Sequence, residues 1–368
     1  MEILIFILII IVLIVVHEFG HFVAAKLSGM RVDEFGLGYP PRAVIIGRIG
    51  ETKYTLNWLP FGGFTKIYGE DGLQEAGAGG RNTRAFANRP RILQALVLVA
   101  GIAMNLIFAY VLITGALVAG TPRALELSEV AHARDMQLAV ADVLPGSPAA
   151  SAGLIPGDTI ASAVDRAGEW RATDPKSFTQ FVSASGGSSI TLSVMRNGTE
   201  FSLSATPVQK IVPSDPSRYA LGVEVATIGI APLSLGTALI QGASLTWGII
   251  TLTATGLWHF FYGIFTNSAN FSQVAGPVGI ASVVGNASMQ GLGNLLSIVA
   301  IISINLALIN LIPIPALDGG RLLFVIIEGI IRRPIKPSVT QAVNSIGFVF
   351  LILLMLVITA HDIFRIVG

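Results

Sequence analysis

The chain has 368 residues, of which 52% are hydrophobic and 12% are charged, and its mean hydropathy is +0.72. Soluble domains carry about 25% charged residues, so this composition indicates an integral membrane protein. The net charge of +1 provides no global basic field, and we therefore expect no nucleic-acid partner. The chain has no cysteine, which excludes disulfides, thiolate ligands and cysteine nucleophiles. Any metal must be held by His, Asp or Glu.

A polar motif lies inside the apolar N-terminal segment. On a helix, His17 and His21 lie about 6 Å apart along the axis and on nearly the same face, so they can share one zinc ion. Glu18 can reach a water on that metal. A charged group deep in a bilayer costs about 2.5–3.5 kcal/mol on insertion scales, whereas bound zinc is worth about 10–16 kcal/mol. The motif therefore predicts a zinc site rather than two incidental histidines.

The N-terminal half predicts two membrane helices with a sheet between them. Residues 1–29 form the first helix, which we expect to be retained because Met1-Glu2 lacks the basic charge of a signal peptide. Residues 30–90 alternate short β-type runs with Gly and Pro, which predicts a membrane-associated β-region, with an irregular surface loop as the alternative. Residues 91–121 form the second helix.

Residues 128–225 are polar enough to form one small soluble domain. Asp174-Pro175 predicts the start of a helix, and Asn197-Gly198 predicts a hairpin between two strands. The Pro-Gly-Ser-Pro-Ala and Pro-Gly-Asp turns between residues 143 and 160 resemble those of a bacterial PDZ domain. Residues 220–223 resemble its groove-edge loop, which implies a groove for an extended peptide. A β-rich spacer without a ligand is the alternative.

The C-terminal half predicts two further spans and one ambiguous region. Residues 292–331 contain a third transmembrane helix and residues 340–366 a fourth, so the predicted fold is a multi-pass α-helical membrane protein with four core helices. Residues 232–290 are rich in Gly and Thr. We expect an interfacial or re-entrant segment there.

Asp318 is the expected third zinc ligand. Open zinc sites typically have three protein ligands and a water, and Glu18 is turned away from the shared histidine face. Asp318 follows Pro313 and Pro315, which interrupt a helix, and broken helices are tolerated in a bilayer where they line a protein cavity. The alternative, that Asp318 caps a helix that starts at Gly319, is compatible with metal ligation.

The distribution of charge predicts the orientation in the membrane. Lys and Arg crowd residues 30–90, which places this region in the cytoplasm. His17 and His21 then lie in the cytoplasmic half of an inward-running helix, and the PDZ-like domain lies on the outer side. For Asp318 to meet the histidines, the third helix must also run inward. Residues 232–290 therefore cannot make a single complete crossing.

Motifs along nearly the whole chain resemble those of bacterial site-2 proteases of the regulator-of-sigma-E type. These motifs are His17–His21, Phe61-Gly62-Gly63-Phe64, Asn105, the PDZ-like insert, Gly276–Ile280 and Asn310–Gly320. The resemblance implies an intramembrane zinc metalloprotease of regulated intramembrane proteolysis in the cytoplasmic (inner) membrane. It implies single-span transmembrane proteins such as anti-sigma factors, and remnant signal peptides, as substrates.

The resemblance also implies functions for individual residues. It implies that the β-region, with Phe61, Gly62 and Gly63, guides substrate as an added strand. Asn305 and Asn310 match family asparagines linked to substrate engagement, and we expect the same of Asn105. Two features differ from the family pattern: Gly101 is followed by Ile102 instead of proline, and the insert has room for one PDZ domain instead of two.

The predicted reaction is zinc-assisted peptide hydrolysis, with Zn²⁺ on His17, His21 and Asp318 and with Glu18 as the group that accepts and returns a proton. A helical substrate must unwind first, because its carbonyl groups are hydrogen-bonded. Two alternatives stay open. One is a non-proteolytic membrane receptor or scaffold with structural zinc and a peptide-binding PDZ domain. The other is a metal transporter, for which few further intramembrane acids are available.

Overall fold

The computed structural model describes residues 2–70, 83–125, 129–196, 198–212, 215–266 and 276–367. The helices are α1 (Glu2–Leu27), α2 (Arg91–Ala119), α3 (Pro148–Ser151), α4 (Pro175–Ala184), α5 (Leu235–Phe265), α6 (Pro277–Met289), α7 (Leu292–Leu311), α8 (Asp318–Ile331) and α9 (Pro337–Val367). The strands are β1 (Val32–Ile49), β2 (Thr52–Ile67), β3 (Pro122–Ala124), β4 (Arg134–Val143), β5 (Thr159–Val164), β6 (Glu169–Trp170), β7 (Ile190–Arg196), β8 (Thr199–Ala205) and β9 (Val223–Ile230).

The chain divides into two compact units. The membrane unit comprises Met1–Val118 and Ser234–Gly368, and the inserted unit comprises Ala119–Leu233. Within the described residues, α1, α2, α5, α7 and α9 are long and apolar enough to cross a membrane. The protein is therefore a membrane protein with several apolar helices and an inserted β-rich unit.

The helices of the membrane unit pack in defined directions. Leu13 in the first half of α1 shares an apolar cluster with Leu112 of α2 and Val299 of α7. Near the end of α1, Ala25 shares a second cluster with Leu98 of α2. Helix α2 therefore runs antiparallel to α1. Since α7 leads toward Asp318 and the end of α1, it runs parallel to α1.

The β-region is a sheet, so the alternative of an irregular loop is wrong. Both strands are bent, and Leu37 of β1 pairs with Leu56 in the first half of β2 and with Gly63 in the second. The pairings therefore form a sheet of four antiparallel segments, whose order across the sheet is residues 63–67, 32–37, 53–59 and 42–49. The strand at 32–39 was not predicted, because its glycines and prolines indicate turns when only the sequence is considered.

The region predicted as interfacial or re-entrant begins with one uninterrupted helix, α5, of 31 residues. This continuity argues against a re-entrant turn within α5. Both ends of the region lie near the N-terminal half of α1. At the start, the Tyr110 hydroxyl of α2 donates to the Leu239 carbonyl (3.1 Å). After the region that is not described, Ile280 of α6 belongs to the cluster around Ile9 of α1.

The inserted unit is an antiparallel sheet in the order β3-β9-β4-β5-β7-β8, with β6 paired to β5. The helix predicted after Asp174 is α4, and the Asp174 carboxylate accepts the Ser177 N–H (2.8 Å). The pair Arg196↔Thr199 joins β7 and β8, and the predicted turn residue Asn197 lies outside the described residues. The unit is wider than the predicted 128–225, because β3 pairs with the end of β9.

A buried ion pair stabilises the turn before β5. Arg196 Nε lies 2.7 Å from Asp158 Oδ1, and the Ile155 N–H donates to Asp158 Oδ2 (3.0 Å). The hydrogen bond from Arg196 holds the pKa of Asp158 below its usual range. The apolar core, which includes Leu138, Phe178 and Leu192, lies beside this turn.

Candidate metal centre

His17 and His21 point their Nε2 atoms at the carboxylate of Asp318. The distances to Asp318 Oδ2 are 2.8 Å from His17 and 3.2 Å from His21, and the two Nε2 atoms are 3.1 Å apart. Both histidines are 7% exposed, so these polar atoms are withdrawn from solvent. The structure thus brings Asp318 into contact with two histidines that precede it by about 300 residues in the sequence.

The geometry and the chemistry of the three donors fit zinc. Zinc binds imidazole nitrogen and carboxylate oxygen at about 2.0–2.1 Å, so tetrahedral ligand atoms lie about 3.3 Å apart. The three donor atoms already lie at 2.8–3.2 Å from one another. Among the described residues, His17, His21 and Asp318 form the one cluster of three metal-ligating side chains. His132, His259 and His361 lie outside it.

A close crossing of α1 and α2 holds the two imidazoles. A Cβ atom added at Gly101 would lie 2.5 Å from His21 Nε2 and 2.9 Å from His17 Cε1. On α1, a Cβ at Gly20 would lie 2.9 Å from Gly101 Cα. The histidines can occupy this position only because both helices have glycine at the crossing. The sequence indicated Gly101 as a small residue for helix packing, but the function of Gly20 was missed.

Hydrogen bonds orient both imidazole rings. His21 Nδ1–H donates to the Val97 carbonyl (2.8 Å), which leaves Nε2 free for a metal. The Asn105 amide lies 3.3 Å from His17 Nδ1 and is fully buried, and its backbone carbonyl accepts the Ser303 hydroxyl (2.8 Å). The atom facing Nδ1 in this structure is the amide nitrogen Nδ2, and Oδ1 of the same amide is buried without a partner in the described residues. When His17 binds a metal through Nε2, its Nδ1–H needs an acceptor, which Oδ1 supplies once the amide is turned over.

The break between α7 and α8 positions Asp318. Pro313 and Pro315 cannot continue the helix, and α7 ends at Leu311. Helix α8 begins at Asp318 itself, and its cap residue is Leu317. Asp318 therefore does not cap a helix that starts at Gly319, and its carboxylate contacts the histidines instead. Beside the break, Asn344 Oδ1 of α9 accepts the Ala316 N–H (3.3 Å).

The second half of β2 passes along α1 at Glu18. The Thr65 hydroxyl donates to the Glu18 carbonyl (2.9 Å). A Cβ at Gly63 would lie 3.6 Å from Glu18 Cγ, so the β2 backbone passes close to this side chain. Glu18, which directly follows His17 in α1, is partly buried. This arrangement leaves its carboxylate beside the strand and near the metal-ligating cluster. Thr65 was not identified from the sequence.

The residues predicted to bind substrate lie in three different settings. Asn105 lies behind His17 and is inaccessible. Asn305 and Asn310 are partly buried on α7, and neither side chain hydrogen-bonds to another residue in the part of the chain that the structure describes. Gly62 and Gly63 are buried in β2 beside α1, and the side chain of Phe61 lies outside the described part.

Comparison with known proteins places the chain in a family. The model of peptidase family M50 matches residues 5–354. A relative from Nostoc sp. is 33% identical over 96% of this chain and 93% of its own length. A relative from Clostridium perfringens is 32% identical over 95% of both chains. Both relatives are provisionally named zinc metalloproteases.

A third relative, named zinc metalloprotease RasP, is from Oceanobacillus iheyensis. It is 27% identical over 98% of both chains. The matches cover the membrane helices, the β-region and the inserted unit alike, and the donor set found here fits the metal that these names give. The protein is therefore a zinc-dependent membrane protease, and the chain belongs to peptidase family M50.

Proposed function

We propose that this protein hydrolyses peptide bonds within the transmembrane segments of single-span membrane proteins, with zinc held by His17, His21 and Asp318. The observation that carries the proposal is that two buried histidines, on a helix long and apolar enough to span a membrane, meet the partly buried Asp318 with donor atoms no more than 3.2 Å apart. Burial of these groups in an apolar helix bundle is costly unless they bind a cation. Anti-sigma factors and remnant signal peptides are the expected kinds of substrate.

Glu18 is the proposed general base and acid. Zinc, when bound, supplies Lewis-acid chemistry that lowers the pKa of water and polarises a carbonyl group. Glu18 accepts the proton that the attacking water loses and returns it to the leaving amine. The hydrogen bond from the Thr65 hydroxyl and the close approach of the backbone at Gly63 hold β2 against α1 at this position.

Asn105 is proposed as a positioning residue instead of a substrate-binding one. Its side chain is fully buried behind His17, and the Ser303 hydroxyl of α7 donates to its backbone carbonyl. A fixed acceptor for His17 Nδ1–H selects the tautomer that keeps Nε2 available for the metal.

The second half of β2 and two asparagines are proposed to hold the unwound substrate. Residues 63–67 pair with β1 on one edge, and no described strand pairs with the other edge. An extended peptide can add to such an edge through backbone hydrogen bonds. Asn305 and Asn310 carry amides without internal hydrogen bonds in the described residues, so these groups are available for a peptide backbone.

The protein is proposed to lie in the cytoplasmic membrane with the zinc site in the cytoplasmic half. The region from α5 to α6 starts and ends near the N-terminal half of α1. A single crossing would place its ends on opposite sides. We therefore place α5 along the outer side, which leaves α1, α2, the α7–α8 segment and α9 as the core spans and the inserted unit outside.

The inserted unit is proposed to be a PDZ-like domain that binds an extended peptide. The open edge of β9 begins at Val223, directly after the loop at residues 220–222. The carbonyls of Leu221 and Gly222 accept N–H groups from Ala149 and Leu144 (both 2.9 Å). In the described residues, no hydrogen bond takes up the N–H groups of Leu221 and Gly222. Such free N–H groups suit the carboxylate at the end of a peptide.

Two substitutions test the protease function. We expect Glu18→Gln to retain stoichiometric zinc and to lose cleavage of a co-expressed single-span protein, because only proton transfer is removed. Asp318→Ala is expected to lose both zinc and cleavage. Zinc is measured by elemental analysis of the purified protein, and cleavage by immunoblot. Glu169→Gln, an exposed acid of the inserted unit, is the matched control.

The results separate the protease from its alternative. Cleavage by the Glu18→Gln variant at the wild-type rate would contradict the function assigned to this residue. Stoichiometric zinc without cleavage of any single-span protein tested would favour a receptor or scaffold with structural zinc. Trapping of bound proteins by the Glu18→Gln variant, followed by mass spectrometry, identifies the substrates.

A further inference from the structure

Strand β3 lies on the edge of β9 that a peptide would use. Strand β4 pairs with one edge of β9, and β3 pairs with the opposite edge. The pairs are Pro122↔Ile230 and Ala124↔Ile228, and the Leu125 N–H donates to the Thr227 carbonyl (2.9 Å). The chain therefore occupies residues 227–230 of this edge with its own backbone.

Side-chain contacts hold β3 in place. Arg123 forms an ion pair with Glu129, with Nη1 2.8 Å from Oε2, and both side chains are less than one-fifth exposed. Leu125 lies over β9 at Gly229, where an added Cβ would be 2.8 Å from Leu125 Cδ1. These contacts stabilise β3 as a part of the sheet, although it is only three residues long.

We propose that β3 is an internal occupant of the peptide edge and that it restricts an external peptide to the stretch Val223–Ala226. This inference rests on the proposed peptide groove of the inserted unit. No described residue pairs with this stretch on the side of β3. The stretch is bounded at one end by the loop at residues 220–222 and at the other end by Leu125.

The direction of β3 indicates how a peptide would lie. Strand β3 runs antiparallel to β9, so its chain direction points from Ile230 toward Val223. A peptide that adds in the same direction places its carboxyl end at the loop and its upstream residues against β3. The partner is therefore an extended chain that ends in a free carboxylate. Only about its last four residues can pair with β9, because one residue pairs with each position of an antiparallel edge.

Peptide length tests this restriction on the full-length protein in detergent. The probes are a pool of fluorescent four-residue peptides with free carboxyl termini and the same pool lengthened by four residues at the amino end. Binding is measured by fluorescence anisotropy. For the wild-type protein we expect lengthening to change Kd by less than about twofold, because residues upstream of the fourth find no free edge.

A proline at residue 125 is expected to free the edge of β9, and a proline at residue 124 is the control. Leu125→Pro removes the N–H that bonds Thr227, so β3 is weakened and residues 227–230 become available. Lengthening should then tighten binding by about fivefold, as expected for a few additional strand pairs. Alternate residues of an antiparallel strand bond the neighbouring strand, so the Ala124 N–H points away from β9. Ala124→Pro should therefore behave as the wild type does.

The outcomes distinguish failure of the inference from failure of the groove. The inference would be overturned if the longer peptides bound the wild type about fivefold more tightly than the short ones. It would also be overturned if peptide length had no effect on the affinity of the Leu125→Pro variant. Absence of binding of both pools to both proteins would overturn the groove and, with it, the inference. The protease function would be unaffected. Amide hydrogen exchange across residues 227–230 checks β3 itself: it should accelerate in Leu125→Pro and not in Ala124→Pro.

Discussion

The two units of this protein use buried polar side chains in different ways. In the membrane unit, His17, His21, Asn105 and Ser303 are all buried and converge with Asp318 on one place. In the inserted unit, buried polar groups are dispersed. Asp158 supports one turn, and Ser147 caps the short helix α3 by accepting the Ala150 N–H (3.2 Å).

The comparison teaches how burial reveals function. In a water-soluble domain, a buried hydroxyl or carboxylate commonly satisfies the backbone of a turn. In a membrane unit, most backbone groups are already satisfied within helices, so turns need little such support. A concentration of ionisable groups there indicates a site. The predictions below test whether the convergent cluster and the dispersed groups differ in their effects on zinc, activity and stability.

Among substitutions outside the proposed zinc ligands and Glu18, the largest effect is expected from Gly101→Ala. The new Cβ would lie 2.5 Å from His21 Nε2, so the crossing of α1 and α2 must widen and the imidazoles must shift. Displacement of reacting groups by about 1 Å costs about 100-fold in rate. We therefore expect a decrease of about 100-fold in cleavage, with weakened zinc binding. Gly115→Ala on the same helix is the control, because its Cβ would lie 3.6 Å from Leu296. Equal activity of the two variants would contradict the close crossing.

A smaller effect is expected from Asn105→Leu. The substitution keeps the number and branching of the side-chain heavy atoms and removes the hydrogen-bond partner of His17 Nδ1. Loss of such a partner typically costs 10–100-fold in metal affinity or activity, so we expect a decrease of about tenfold or more in zinc affinity, measured by competition with a chelator. Asn294→Leu, near the start of α7, is the control and should retain wild-type affinity. An unchanged zinc affinity for Asn105→Leu would show that the amide does not orient His17.

The smallest effect on catalysis is expected from Asp158→Asn, which acts on the inserted unit. Removal of one partner of a buried ion pair costs about 3–5 kcal/mol, and we expect about 2–3 kcal/mol here because Arg196 is 27% exposed. Zinc content should not change. Stability of the unit is measured by amide hydrogen exchange over residues 134–230 of the full chain. Asp142→Asn, an exposed acid on β4, is the control.

The same ion pair gives a dependence on pH with a defined sign. Because the folded-state pKa of Asp158 is lowered, its stabilising contribution is present above the unfolded-state pKa of about 3.9 and is lost as the pH falls below it. The wild-type inserted unit should therefore lose stability as the pH falls below about 4. The Asp158→Asn variant should lose less stability over the same fall in pH. An equal loss in both proteins would contradict the contribution of Asp158.

Much of the membrane unit could be predicted, because its signals are local. The apolar lengths of α1, α2 and α9 and the spacing of His17 and His21 depend only on neighbouring residues. The strand at 32–39 was missed because bending of a sheet around glycines depends on its partner strands. Strand β3 was missed for the same reason, since three residues carry no periodic pattern and pair only with a strand about one hundred positions later.

The sequence by itself determined the kind of chemistry available: a membrane protein without cysteine, two histidines on one helix face, and an acid at a helix break. Only the tertiary structure decided which atoms meet. The contact of Asp318 with the histidines depends on the parallel course of α1 and α7, and the place of Asn105 behind His17 depends on the glycine crossing with α2. Such contacts join residues that are far apart in the chain, so no local spacing specifies them. The motif His17–His21 remains the centre of the site, and its surroundings come from the fold.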